Sequence, residues 1–134
     1  MTEKRFKDPI YGYISVSMKF MEIVDTPEFQ RLRRIIQTSY SPLYSSAMHN
    51  RFVHSLGVFH LGKIASEQLK KENQNGAFVE HEEMERNSYL FQLACLLHDV
   101  GHAPFSHTGE EFFLNDNGEY AELHETLSEL VGDE

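Results

Sequence analysis

One stretch limits what this chain can fold into: residues 98–107, HDVGHAPFSH, which directly follow the apolar run YLFQLACLL at residues 89–97. The apolar run predicts a buried helix that delivers polar side chains at its C-terminal end. A glycine and a proline inside the motif then break the helix, which places His102 and His107 on a turn. Three histidines and an aspartate at this density predict a binding site for a metal ion or an anion.

The residue types suit a divalent metal ion, because neutral imidazole and carboxylate are its usual ligands. His54, His98 and Asp99 supply such a set. Neighbours on a helix diverge by about 100°, but Asp99 at the helix end can leave the helical path and reach the ion that His98 binds. Manganese, magnesium, iron, zinc and nickel all tolerate these donors. His54 alone is also compatible with an ordinary packed histidine.

A metal held there would polarise a phosphoryl oxygen and lower the pKa of a bound water. Arg51 lies three residues before His54, so a phosphate-binding guanidinium and a metal ligand could serve one pocket. Glu110 could orient a neighbouring histidine. Three further histidines could bind phosphate as imidazolium or act as general acid or base: His102, His107 and His124.

The first third of the chain contains two local signals. The segment DPIYG at residues 8–12 predicts an extended stretch with a turn, and a short helix is expected at residues 17–24. Thr26 and Pro27 mark the N-terminus of a helix that we expect to run to about Gln37. Its predicted buried stripe is Phe29, Leu32 and Ile36. The arginines on its other faces are typical of a solvated surface: Arg31, Arg33 and Arg34.

Residues 51–65 predict a further helix. One face of it carries Val53, Leu56, His60 and Ile64. Residues 67–87 are polar and are expected to form an exposed connection before the apolar helix. Residues 120–131 predict a last helix with a stripe of three leucines, Leu123, Leu127 and Leu130.

The charge of the chain argues against strong binding to nucleic acid. The net charge is −9, whereas affinity for a polyanion comes mainly from lysine and arginine. Residues 1–71 carry a balance of +5, and residues 72–134 carry −14 with Arg86 as their one cation. The cations for a phosphate substrate must therefore come from residues 1–71, a metal, another subunit or further chain.

Length and composition are those of one globular domain of 134 residues. The N-terminus has no apolar core of a signal peptide, and no apolar run is long enough for a membrane span. The single cysteine, Cys95, lies in the apolar helix and is consistent with a reducing compartment. These features predict a cytoplasmic protein.

Four motifs in order carry a family resemblance: DPIYG at 8–12, DTPEFQRLR at 25–33, HNRFVHSLGV at 49–58 and HDVGHAPFSH at 98–107. Together they resemble the HD-superfamily phosphohydrolases, in particular the deoxynucleoside triphosphate triphosphohydrolases. The resemblance covers residues 8–125. It implies an all-α fold, an HD-domain helical bundle, and cleavage of a nucleoside triphosphate into nucleoside and triphosphate.

The resemblance also implies roles for individual residues. His54, His98 and Asp99 match the first three metal ligands of the family's H…HD…D pattern, and Arg51 matches a phosphate contact. Gln37 matches, more weakly, a position that contacts the nucleoside. The remaining matches line the phosphate pocket or follow the PFSH turn: His102, His107, His124 and Glu110.

One part of the family pattern has no counterpart in residues 1–134. The final metal ligand of the family is an aspartate on a later helix, so residues 1–134 are expected to be the N-terminal portion of an HD domain, truncated at its C-terminus. Two functions stay open. One is a metal-dependent hydrolase of nucleotides, completed by further chain or a partner. The other is a catalytically incomplete module that binds metal or nucleotide, or that pairs with a full-length relative as a regulatory subunit.

The apolar helix also predicts an association of chains. Its sequence is apolar nearly all round, which is typical of a helix buried from several sides. We expect a homo-oligomer or a complex with a completing chain, because one short chain offers few neighbours for such a helix.

Overall fold

A computed structural model describes residues 3–38, 43–76 and 79–102 of the chain. Three of the predicted site residues, His107, Glu110 and His124, and the helix predicted at residues 120–131 lie outside these ranges. The described elements, in chain order, are β1 (Glu3–Asp8), β2 (Gly12–Ser17), α1 (Met18–Val24), α2 (Pro27–Gln30), a 3₁₀ helix (Arg31–Arg34), α3 (Arg51–Gly76) and α4 (His81–Leu97).

The chain begins with a β-hairpin, so the all-α prediction was wrong at this point. β1 and β2 pair antiparallel, with Asp8 opposite Gly12 at the turn. The Asp8 carboxylate accepts hydrogen bonds from the amides of Ile10 at 2.8 Å and Tyr11 at 2.9 Å. Gly12 has a φ of 75°, a conformation that a residue without Cβ adopts easily. The turn expected at DPIYG is therefore present, but it joins two strands. The rest of the described fold is mainly helical.

The next segment confirms two sequence predictions. α1 occupies the region expected for a short helix, and Thr26 caps α2 by accepting a hydrogen bond from the amide of Phe29 at 3.3 Å. Pro27 takes the first helical position, where its missing amide hydrogen costs nothing.

The helix predicted to run to Gln37 was wrong in its length. α2 ends at Gln30, a 3₁₀ helix follows, and Ile35 is extended. A 3₁₀ helix repeats every three residues, so Ile35 rather than Ile36 continues the buried row that begins with Phe29 and Leu32.

α3 and α4 form an antiparallel pair. Near the connection, Lys70 and Glu85 form an ion pair of 2.7 Å across the two helices. The Asn73 side chain accepts from the amide of Val79 and donates to its carbonyl. The connection predicted at residues 67–87 was therefore wrong, because α3 continues to Gly76 and α4 begins at His81. The exposure predicted for this segment holds for most of its described residues.

The face of α3 that the sequence singled out is only partly buried. Phe52, Leu56 and Phe59 are buried, whereas Val53 and Ile64 are exposed. Leu56 belongs to both sets, but the other buried members, Phe52 and Phe59, each lie one position before the predicted Val53 and His60. This shift decides which side of α3 faces the hairpin and α4.

The core joins the hairpin to the helices. Its buried apolar residues are Ile14, Val16, Phe20, Met21, Val24, Phe29, Leu32, Ile35, Phe52, Leu56, Phe59 and Leu96. Phe20 of α1 links the two long helices, since its ring contacts Phe59 of α3 and Tyr89 of α4. This packing holds the beginning of α3 beside the end of α4. None of the described helices is both long enough and apolar enough to cross a membrane.

Candidate metal centre

Residues 98–102 leave α4 through tight turns. The amide of His98 still bonds to the carbonyl of Ala94, but the amides of Val100 and His102 bond to carbonyls only three residues back, at 2.9 and 3.1 Å. Asp99 therefore departs from the helical path, as the sequence predicted. Its side chain turns toward the first residues of α3.

Three metal-ligating side chains meet where α4 ends and α3 begins. One donor atom each from His54, His98 and Asp99 lies within 4.8 Å of the others. The Nε2 atoms of His54 and His98 are 3.2 Å apart. Asp99 Oδ2 lies 3.7 Å from His54 Nε2, and Asp99 Oδ1 lies 3.5 Å from His98 Nε2.

These separations fit ligands of one ion. Two donors that each lie about 2.1 Å from a metal, at tetrahedral or octahedral angles, are separated by about 3.0–3.4 Å. The three observed distances lie at or slightly above that range, so the residues present could hold a divalent ion after a small adjustment. Two imidazoles and one carboxylate leave the remaining coordination positions for other ligands.

The second nitrogen of His98 supports this role. His98 Nδ1 lies 2.9 Å from the carbonyl oxygen of Cys95, which can only accept a hydrogen bond. Nδ1 must therefore carry the proton, and in the neutral ring Nε2 then presents its lone pair toward His54 and Asp99. An imidazole oriented by a backbone carbonyl in this way is the usual arrangement for a metal ligand.

His54 is also held toward its neutral form. Partial burial lowers the pKa of its imidazole, and the neighbouring His98, Arg51 and His49 lower it further, while Asp99 opposes them. A neutral imidazole is the form that binds a metal ion. The environment of His54 thus favours metal binding over protonation.

Arg51 lies deeper in the site than its predicted phosphate role suggested. Its Nη1 atom donates to Asp99 Oδ2 at 2.7 Å, and both side chains are buried. The guanidinium neutralises the carboxylate and fixes its orientation. The phosphate contact of Arg51 stays a prediction.

His102 approaches the same carboxylate from the turn. Its Nε2 atom lies 3.6 Å from Asp99 Oδ1. The structure therefore brings five of the predicted site residues to one place: Arg51, His54, His98, Asp99 and His102.

Gln37 is connected to this site through the backbone. Its amide donates to the carbonyl of His49 at 3.0 Å, and the amide of Arg51 donates to Ile35 at 2.8 Å. Residues 35–37 thus run alongside the residues that lead into α3. The nucleoside contact of Gln37 stays a prediction.

The residue that sequence reasoning missed is Arg31. We expected a solvated arginine, but its guanidinium donates to the backbone carbonyls of Val100 and His102. Burial lowers the pKa of Arg31. Its position in the DTPEFQRLR motif was the available signal, but nothing local distinguishes it from Arg33 and Arg34.

The comparisons with known proteins agree with this geometry. A family model described as "HD domain" matches residues 51–133. The chain therefore belongs to the HD-domain family, whose members are metal-dependent.

Among curated relatives, the deoxynucleoside triphosphate triphosphohydrolase SAMHD1 of Bos taurus is 42% identical over 115 residues, covering 84% of this chain and 18% of that protein. The uncharacterized protein YwfO of Bacillus subtilis (strain 168) is 40% identical over 120 residues, covering 88% of this chain and 26% of YwfO. A crystal structure of a hypothetical protein from Aquifex aeolicus superposes with a TM-score of 0.71 at 35% identity, covering 96% of this chain and 32% of that one. The chain thus spans about a fifth to a third of the length of these relatives. The comparisons therefore show the family of this chain.

Proposed function

We propose that this chain carries the metal centre of a phosphohydrolase that acts on nucleotides, with a deoxynucleoside triphosphate as substrate and nucleoside and triphosphate as products. The observation that carries the proposal is the convergence of His54, His98 and Asp99 within 4.8 Å. The similarity to a protein named deoxynucleoside triphosphate triphosphohydrolase supports the choice of substrate.

In this proposal each residue of the cluster has its own role. His54, His98 and Asp99 hold the divalent ion, which supplies Lewis-acid polarisation of a phosphoryl oxygen when it is bound. Arg51 holds the Asp99 carboxylate through the 2.7 Å bond and adds positive charge near the phosphates. His102 lies beside Asp99, with its Nε2 atom 3.6 Å from Oδ1, and this nitrogen could hold a proton for the phosphate or a leaving oxygen.

Four further roles belong to the same proposal. Gln37 contacts the nucleoside, while His107, His124 and Glu110 complete the phosphate pocket. These assignments come from the family resemblance. We also propose that residues 1–134 form the N-terminal portion of an HD domain. The cytoplasmic location stays a prediction.

The experiment is a hydrolysis assay on a panel of deoxynucleoside and ribonucleoside triphosphates. Purified protein is assayed with manganese, magnesium, iron, zinc or nickel, and nucleoside and triphosphate are separated by anion-exchange chromatography. We expect release of nucleoside that disappears in Asp99→Asn and persists in Arg34→Gln, because Arg34 is exposed and lies outside the cluster. Absence of both products with every metal, and with a candidate completing chain present, would refute the proposed activity.

The alternative function is an incomplete module that binds metal or nucleotide, or pairs with a full-length relative, without turnover. Among residues 3–38, 43–76 and 79–102, three side chains form the metal cluster, whereas the family pattern has four ligands. Stoichiometric metal without turnover would favour this module.

We expect the chain to associate with other chains under either of the two functions. Leu90 and Phe91 of α4 are exposed, as are Leu61 and Ile64 of α3. An apolar surface of this kind is typical of an interface. Light scattering should show a homo-oligomer or a complex, and a stable monomer that binds no hydrophobic dye would contradict this.

A further inference from the structure

Arg31 connects the 3₁₀ helix to the turn that follows α4. Its Nη1 atom donates to the carbonyl of His102 at 2.9 Å, and its Nη2 atom donates to the carbonyl of Val100. Val100 follows Asp99 directly, and His102 is itself a site residue. One guanidinium therefore binds the backbone on both sides of Gly101.

Two backbone carbonyls that lie close together need two hydrogen-bond donors, and an arginine side chain can supply both. The carbonyls of Val100 and His102 lie in the turn after α4, outside its helical ladder, and a backbone carbonyl that leaves water needs a hydrogen-bond donor. A guanidinium offers several N–H groups in a fixed planar fork, so it can bond two carbonyls at once. A lysine ammonium has a single nitrogen and cannot reproduce this geometry.

The hydrophobic core holds the backbone from which the Arg31 side chain extends. Phe29 and Leu32, on either side of Arg31 in sequence, have 0% exposure. The Thr26 cap sets the start of the same segment. The backbone of Arg31 is thus held between two core residues. Its side chain connects this fixed backbone to the turn after α4.

We propose that Arg31 is a positioning residue for the metal centre: by bonding the carbonyls of Val100 and His102, it holds the turn that presents Asp99 and His102. In this proposal Arg31 acts through the turn and not through a contact of its own with the ion or the substrate. The effect on metal binding rests on the proposed function, whereas the bracing of the turn is a property of the metal-free chain.

A residue that only stabilises the fold would behave differently from a positioning residue. The test therefore needs a control that loses stability far from the turn. Phe20→Leu serves this purpose, because Phe20 packs against Phe59 and Tyr89 in the core. Arg34→Gln is the matched control for the change of residue type, since Arg34 is an exposed arginine in the same 3₁₀ helix.

The first measurement is amide hydrogen exchange of the metal-free protein by NMR. The amides of Val100 and His102 close the turn through bonds to Leu97 and Asp99. We expect Arg31→Gln to lower protection at these two amides selectively, and Arg31→Lys to lower it by less. Phe20→Leu should lower protection throughout the core, and Arg34→Gln should change nothing. Unchanged protection of both amides in Arg31→Gln would overturn the bracing.

The second measurement is a titration with cobalt(II), which reports ligand geometry through its visible spectrum. Removing a group that orients metal ligands typically costs about 10- to 100-fold in metal affinity, and we expect that loss and an altered spectrum at saturation for Arg31→Gln. Phe20→Leu should keep the wild-type spectrum in its folded fraction. A wild-type affinity and spectrum in Arg31→Gln, or full retention by Arg31→Lys, would overturn the positioning role.

The two measurements separate the two proposals. If wild-type protein binds no cobalt, the proposed metal centre fails, and hydrogen exchange alone decides whether Arg31 braces the turn. If wild-type protein binds cobalt but hydrolyses no nucleotide, the proposed activity fails while the positioning role is still judged by affinity and spectrum.

Discussion

The Arg51 guanidinium and the Asp99 carboxylate form an ion pair of 2.7 Å between the first residue of α3 and the turn after α4. Their side chains are 3% and 7% exposed. Such a pair adds little net stability as a whole, but the loss of one partner leaves a buried charge without compensation. The pair therefore couples the stability of the fold to the integrity of the candidate metal centre.

Arg51→Met should destabilise the metal-free protein by about 3 kcal/mol, because Asp99 would lose the cation that compensates its burial. Urea unfolding followed by circular dichroism measures the change. The double variant Arg51→Met with Asp99→Asn should recover much of the loss. A single variant as stable as wild-type protein would show that the pair does not couple the two helices.

Gly62→Ala should destabilise the protein at the contact between α3 and α4. A Cβ atom at Gly62 would lie 2.7 Å from Sγ and 3.1 Å from Cβ of Cys95. Overpacking of this kind costs about 1–3 kcal/mol, whereas alanine gains about 1 kcal/mol over glycine in helix propensity. We expect a net loss of about 1 kcal/mol in urea unfolding.

Two variants control this prediction. Cys95→Ala combined with Gly62→Ala should restore part of the stability, because the sulfur atom is removed while the Cβ contact of 3.1 Å stays. Gly57→Ala should be neutral or stabilising, since among the described residues its new Cβ would meet only Tyr11, at an ordinary contact distance of 3.4 Å. Equal losses for Gly62→Ala and Gly57→Ala would disprove the steric explanation.

Gly12→Ala should weaken the β-hairpin through its backbone. A Cβ there would meet no atom within 4 Å in the part of the chain that the structure describes, so the expected cost comes from the φ of 75°. That cost is about 1–2 kcal/mol for a residue with a side chain. Gly12→Asn should lose less, because asparagine tolerates this conformation better. Thermal unfolding of the two variants tests this ranking, and an equal loss for both would contradict it.

Removal of metal should lower stability by an amount that grows with the logarithm of the ratio of metal concentration to dissociation constant. A ligand at 100 times its dissociation constant stabilises the folded state by about 2.7 kcal/mol. We expect manganese to raise the free energy of unfolding of wild-type protein in this way, and a chelator to reverse it. His54→Gln should abolish the increment. An equal increment in His54→Gln would place the ion elsewhere.

The metal cluster was predictable because histidine and aspartate are metal-ligating residue types, and this property does not depend on how the helices pack. His98 and Asp99 follow an apolar helix, and His54 belongs to a second motif. Thr26 and Pro27 were equally informative, since a helix cap acts locally. The resemblance then brought these motifs into one site, which spacing along the chain could not do.

The features that we could not predict from the sequence depend on tertiary packing. The 3₁₀ helix at Arg31–Arg34 places Ile35 in the core instead of Ile36. The buried face of α3 centres on Phe52 and Leu56 and leaves Val53 exposed. Arg31 reaches residues about seventy positions away in the chain, and no local pattern encodes such a contact.

The most direct test of the metal centre is the stoichiometry of a divalent ion bound to purified protein, measured by equilibrium dialysis with elemental analysis. We predict one ion per chain for wild-type protein and its loss in His98→Gln. His60→Gln is the matched control, because His60 lies on α3 but contacts the ring of Tyr11 instead of the cluster. Retention of one ion in His98→Gln, or no bound ion in wild-type protein, would contradict the assignment of His54, His98 and Asp99 as its ligands.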